Sequence, residues 1–176
     1  MEVARTLVAP EDRARIEDGR RPLRFPRCRS TSLGPISFSL QRTIAMSRTV
    51  ILPPTGLRPG IPYSPAIRWD RLLFISGQTG SDPVSRAFPE DIQSQTRIAL
   101  DNVRALAEAG GASFETALKV MIHMTDMTNE FALMNEVFRE YFPKEPPART
   151  TVGVAHLARP GIKIEIDMIA VVRDDV

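Results

Sequence analysis

The sequence predicts an α+β domain, with a mixed sheet covered on one face by two helices. Three observations predict it. Short β-branched and aliphatic runs recur between Pro, Gly and Asp breaks, from "RTVIL" at 48–52 to "KIEIDMIAVV" at 163–172. Two longer stretches, 91–109 and 128–142, repeat apolar residues at helical spacing. An apolar fraction of 43% over 176 residues suffices for one real core.

The elements follow in order. "RTVIL" reads as a short strand, and "LPPTGLRPGIP" as a Pro/Gly loop. "YSPAIRW" and "RLLFISGQ" form a hairpin with Asp70 at its turn, and "SDPVSRAFPE" is again a loop. In 91–109, Ile92, Ala99, Leu100, Val103, Leu106 and Ala107 make one helical face, and Gly110 and Gly111 stop the helix. "ALKVMIHMTDM" alternates as a strand. The second helix, 128–142, starts with Thr128 as N-cap and Glu130 in its first turn, and Pro143 ends it. "RTTVGVAHL" and "KIEIDMIAVV" are the last strands, joined around "ARPG".

Residues 1–45 read differently. They hold nine Arg against five acids, whereas 46–176 hold 14 basic against 16 acidic residues, so the high pI belongs to the leader. The stretch is rich in Arg, Ser and Pro without a sustained period, as in a transit peptide, but "APEDRARIEDG" is too acidic for one. The expectation is a disordered leader or an upstream start, with the domain at 46–176 beginning from Met46. No run approaches the ~18 apolar residues of a membrane span. Cys28, the one cysteine, lies in the leader, so the body has neither a disulfide nor a thiol nucleophile. His123 and His156 are too few and too far apart for a metal set or a triad, and His123 is taken as structural. The expected location is cytoplasmic, with organellar targeting by the leader left open.

A few polar residues break the core pattern. Arg149 follows the stiff pair Pro146–Pro147 and opens a β-branched run, which sets a guanidinium at a sheet end. It shares a strand face with Thr151 and Gly153. Its two readings are a salt bridge to Glu165 and an anchor for an anionic ligand. In the second helix, Phe131, Met134, Phe138, Tyr141 and Phe142 make the expected buried stripe, and Asn135 falls on that face. Asn135 is then either a satisfied core amide or a contact to a ligand or another subunit. In the last strand, Glu165 and Asp167 share a face with Ile169 and Val171, so that face is half wet or meets another subunit. Gly77, in "FISGQTG", either lets another backbone or a ligand come close or simply marks a strand-end turn.

From about Thr49 to Arg173 the sequence resembles the RidA (YjgF) family of enamine/imine deaminases. The likeness rests on "PYSPAI", "LLFISGQ", "ALDNVRALAEAGGASFETALKVMIHMTDM", "FALMNEVFREYF", "PPARTTVGVAHL" and "KIEIDMIAV", in this order and spacing. The resemblance implies a chorismate-mutase-like fold and a homotrimer with clefts between subunits. It implies hydrolysis of small 2-imino or enamine acids to 2-oxo acids and ammonia, with neither cofactor nor metal and with no nucleic-acid or membrane partner. It assigns Arg149 to the substrate carboxylate and Glu165 to the attacking water. Tyr63, Ser76, Gly77, Asn135 and Thr151 become substrate-binding. Thr151 stands where many bacterial members have cysteine, and Asp167 where a second glutamate is common. The rival readings are a module that binds small carboxylates or 2-oxo acids without turnover, and a ribonuclease. The slightly acidic body argues against the latter.

Overall fold

The computed structural model describes residues 47–56, 60–82 and 84–173. The expectations for the leader, for Cys28 and for a start at Met46 lie outside the described residues. Six strands, β1 (Arg48–Ile51), β2 (Ala66–Trp69), β3 (Leu72–Thr79), β4 (Ala117–Met124), β5 (Ala148–Gly153) and β6 (Ile164–Val171), form one sheet in the order β1-β2-β3-β6-β4-β5. All pairs are antiparallel except β4 with β5. Parallel neighbours need a long crossover, and helix α2 (Met127–Tyr141) supplies it. Helix α1 is Ile92–Ala109. Among the described residues no helix is long and apolar enough to cross a membrane.

The β2–β3 hairpin turns at Asp70, which takes the left-handed φ of 53° that Asp tolerates better than most residues. The α1 N-cap is Asp91, whose carboxylate accepts from the Ser94 N–H. Gly110 keeps a right-handed φ of −89°, and the left-handed turn falls at Gly111, φ 81°. The N-cap of α2 is Asp126, not Thr128: its carboxylate accepts from the N–H groups of Thr128 and Asn129. Asp sits one residue ahead of the helix and, charged, is the better acceptor for orphan N–H groups at its positive end.

The sheet has two unlike faces. Leu73, Ile75, Val120, Ile122, Met124, Ile164, Ile166, Met168 and Ala170 point to the helices and are buried there with Leu100, Val103, Leu106 and Met134. Phe131 and Tyr141 of the expected α2 stripe are only partly buried, and Val137 takes a core place beside Met134 and Phe138. Among the described residues the other face carries no helix. Register places Val50, Ile67, Phe74 and Ile169 in one row across it, and Trp69, Leu72 and Val171 in another. Val50 and Phe74 are each 41% exposed and Trp69 39%, which makes this an apolar face rather than a few isolated side chains.

Candidate functional site

The last two strands do not pair. Strand β4 lies between β5 and β6, pairing Val120 with both Arg149 and Met168, and His123 with both Val152 and Glu165. Paired residues share a face, so Arg149 and Thr151 lie on the helix side and Glu165 on the open side. They are also two strands apart and three residues offset, roughly 10 Å in each direction. The salt bridge between Arg149 and Glu165 is therefore excluded within one protomer, and so is a single cleft holding both.

The structure instead shows two half-sites. The first surrounds Arg149 at the sheet edge. Its guanidinium sits 4.7 Å from the centroid of the Phe138 ring, and that ring is itself stacked on Phe142 at 4.6 Å. Among the described residues no carboxylate pairs with Arg149. Although the residue is exposed, partial desolvation of the guanidinium, followed by the like charge of Arg139, pulls its pKa below the ordinary value. An aromatic support holds a guanidinium by its flat face and leaves the N–H fork available. Beside it on β5, the Thr151 hydroxyl is buried and has no hydrogen-bond partner, an unmet donor and acceptor in the same place. Asn135 lies one turn before Phe138 on α2, is half-buried, and makes no side-chain hydrogen bond among the described residues.

The second half-site surrounds Glu165. A bulge in β3, between Ile75 and Gln78, inserts one residue at Ser76–Gly77. The Gln78 amide closes it by donating to the carbonyls of Ser76 (2.8 Å) and Gly77 (3.2 Å). The Glu165 carboxylate fills the space a side chain at 77 would need: a Cβ there would lie 2.6 Å from its Cδ. The close neighbour that Gly77 admits is therefore neither a backbone nor a ligand but the side chain of Glu165. Together Tyr63, Gly77 and Glu165 line a cavity of about 370 Å³, walled by Pro53, Pro54, Ile61, Pro65 and Ile162. Ser76 does not line it. Its hydroxyl donates to the Ser64 carbonyl (2.8 Å) and its N–H to the Pro65 carbonyl (3.0 Å), so it holds the segment that carries Tyr63.

On the open face, His123 lies opposite Glu165, with its Nδ1 buried and unpartnered. Burial pushes the Asp167 carboxyl up, partly offset by His123 and Lys119. No three His, Cys, Asp or Glu side chains among the described residues come together as a metal set.

Sequence reasoning missed one residue that builds this site. Gln95 on α1 is fully buried; its amide nitrogen donates to the carbonyls of Pro89 (2.7 Å) and Gly161 (2.8 Å), and its oxygen accepts from the Lys163 N–H (2.9 Å). It ties two loops to the start of β6, two residues before Glu165. The signal was present: Gln95 follows Ile92 by three and precedes Ala99 by four, the same spacing that singled out Asn135.

Comparison with known proteins agrees with this architecture. A family model described as endoribonuclease L-PSP matches residues 55–172. A RutC family protein of Pyrococcus horikoshii is 42% identical over 124 residues, covering 70% of this chain and 97% of that protein. The 2-iminobutanoate/2-iminopropanoate deaminase of Mus musculus is 39% identical over 111 residues, covering 62% of this chain and 81% of that one. The crystal structure of Escherichia coli TdcF with bound serine superposes with a TM-score of 0.65 at 33% identity, covering 70% of this chain and 98% of that one. With its fold, its motifs and these relatives in accord, the chain belongs to the RidA (YjgF) family.

Proposed function

We propose that the protein hydrolyses reactive 2-imino acids, and the enamines that tautomerise to them, into 2-oxo acids and ammonia, at sites completed between copies of the chain. One observation carries the proposal. Arg149 is presented on an aromatic wall with no acid among the described residues to neutralise it, on the opposite face of the sheet from Glu165. A second copy can join the two half-sites, and the exposed apolar face offers it a surface to bind. The homotrimer implied by the family resemblance is the assembly proposed. The deaminase named among the relatives has the matching chemistry.

In this mechanism Arg149 grips the substrate carboxylate through two parallel hydrogen bonds, which fixes the plane of the adjoining C=N group. The Thr151 hydroxyl and the Asn135 amide supply further polar contacts to the same end. Glu165 of the neighbouring copy accepts a proton from a water as the water oxygen adds to the imine carbon, and passes it to the nitrogen, which returns the carboxylate to its starting state. The tetrahedral amino alcohol then expels ammonia, leaving the 2-oxo acid. Tyr63 covers the cavity. Holding acid and water together converts a bimolecular step into an effectively unimolecular one.

The direct test is ammonia release from 2-iminobutanoate generated in situ, together with the mass of the assembly in the same sample. Release at the uncatalysed rate would leave only carboxylate binding. Two variants probe Glu165. Glu165→Gln is expected to keep 2-oxobutanoate affinity while kcat falls by ~10²–10⁴-fold, the usual worth of a positioned acid–base group. Loss of binding instead would make Glu165 structural. Since the atoms nearest a Cβ at 77 all belong to the Glu165 side chain, Gly77→Ala is expected to force that side chain aside. Its kcat/KM should fall by roughly tenfold or more, since a misplacement near 1 Å can cost ~10²-fold. Unchanged kinetics would overturn the assigned fit of Glu165 over Gly77.

A further inference from the structure

The cavity beside Glu165 carries more positive charge than a monocarboxylate needs. Its lining includes two arginines, Arg86 and Arg159, against the single acid Glu165. Arg159 repeats the device seen at Arg149: its guanidinium lies 4.9 Å from the centroid of the Phe88 ring, and no carboxylate among the described residues pairs with it. Arg86 is set by backbone rather than by a ring. The turn 82–87 is closed by the Asp82 N–H donating to Ala87 and the Arg86 N–H to Asp82, at 3.0 and 3.1 Å. Arg86 takes a left-handed φ of 65° there, a conformation that a side-chain-bearing residue rarely adopts unless its surroundings impose it. Asp82, at the start of this turn, has its Oδ1 accepting from Val84 N, Ser85 N and Ser85 Oγ; these hydrogen bonds, and then the nearby charge of Arg86, hold its carboxyl below the ordinary value, while no ion pair joins the two.

Both loops are anchored to one buried group. The Gln95 amide nitrogen bridges Pro89, next to Phe88, and Gly161, two residues after Arg159. The stack of Arg159 on Phe88 is thereby held in place, so the charge is preorganised. At about 370 Å³ the cavity is within the range of small-molecule pockets. Asn102 and Thr79 add polar groups to its wall.

We propose that Arg159, with Arg86, forms a subsite for a second anionic group, so that the preferred substrates are 2-imino acids with an acidic side chain, the imines of four- and five-carbon dicarboxylic acids. The proposal rests on the imine-hydrolysis reading for its chemistry, while Arg149 keeps its role at the first carboxylate.

The test uses the full chain. Ammonia release is measured from 2-iminosuccinate, 2-iminoglutarate and 2-iminobutanoate formed in situ, and binding of 2-oxoglutarate and 2-oxobutanoate is measured by calorimetry. A charge-assisted contact predicts about tenfold or greater preference for the dicarboxylates. The double variant Arg86→Gln/Arg159→Gln should erase that preference, lowering kcat/KM for dicarboxylates far more than for 2-iminobutanoate. Equal use of both classes, or a preference that survives the double variant, would overturn the subsite. If no imine is hydrolysed but 2-oxoglutarate still binds more tightly in an Arg159-dependent way, the subsite stands and the deaminase reading falls.

Discussion

Arg149→Ala is expected to reduce kcat/KM for 2-iminobutanoate by about two orders of magnitude or more, with little change in thermal stability. The arginine is at the sheet edge and its charge serves no intramolecular ion pair among the described residues, so the fold loses only a stack on Phe138. The substrate loses both arms of a fork, each worth ~1.5–3 kcal/mol as a charge-assisted hydrogen bond. Arg149→Lys should fail nearly as badly, because a lysine ammonium keeps the charge but neither the planar pair of donors nor the flat face against the ring. Steady-state ammonia release and a melting curve on the same preparations decide the matter. An active alanine variant would remove the anchor from the mechanism. A large drop in melting temperature with proportionate loss of activity would make Arg149 structural.

The second large effect concerns stability. Gln95→Leu is expected to cost about 3 kcal/mol or more, read by urea unfolding. A leucine fills similar space, but the carbonyls of Pro89 and Gly161 and the N–H of Lys163 lose their partner inside the protein. An orphaned buried group costs ~1–3 kcal/mol, and these three, being only part-buried, fall at the low end of that range. Gln95→Glu should not rescue it, since a carboxylate has no proton to give the two carbonyls. The backbone leaves little room to adjust: Gly80 lies so close to α1 that a Cβ on it would be 2.5 Å from the Gln95 Cα. Stability within about 0.5 kcal/mol of wild type would show that water replaces the amide. The same variant should loosen the loop carrying Arg159, which links the stability of this corner to the chemistry of the cavity.

Local periodicity and turn chemistry were legible residue by residue. Ile92 to Ala107 repeats at helical spacing, Asp70 sits between two strand patterns, and the last strand alternates from Ile164 to Val171; each appears where expected. These signals involve neighbours in the chain, and the physics of capping, turns and alternation acts over a few residues. At the α2 cap the expected Thr128 gave way to Asp126, one residue ahead of the helix and charged. Gln95 carries a local sign of the same kind, a polar residue at helical spacing among Ile92, Ala99 and Leu100.

The sequence by itself determined the class of fold, the order of its elements, and the presence of an arginine and a glutamate at distinct strand positions. It could not determine which strand lies beside which, since pairing is set by burial across the whole sheet rather than by adjacent residues. Only the tertiary structure inserted β4 between β5 and β6, and with it sent Arg149 and Glu165 to opposite faces. Strand order also placed Gly77 under the Glu165 carboxylate, and the loops brought Arg86 and Arg159 to the same cavity, contacts between segments far apart in the chain whose side chains carry no local sign of each other.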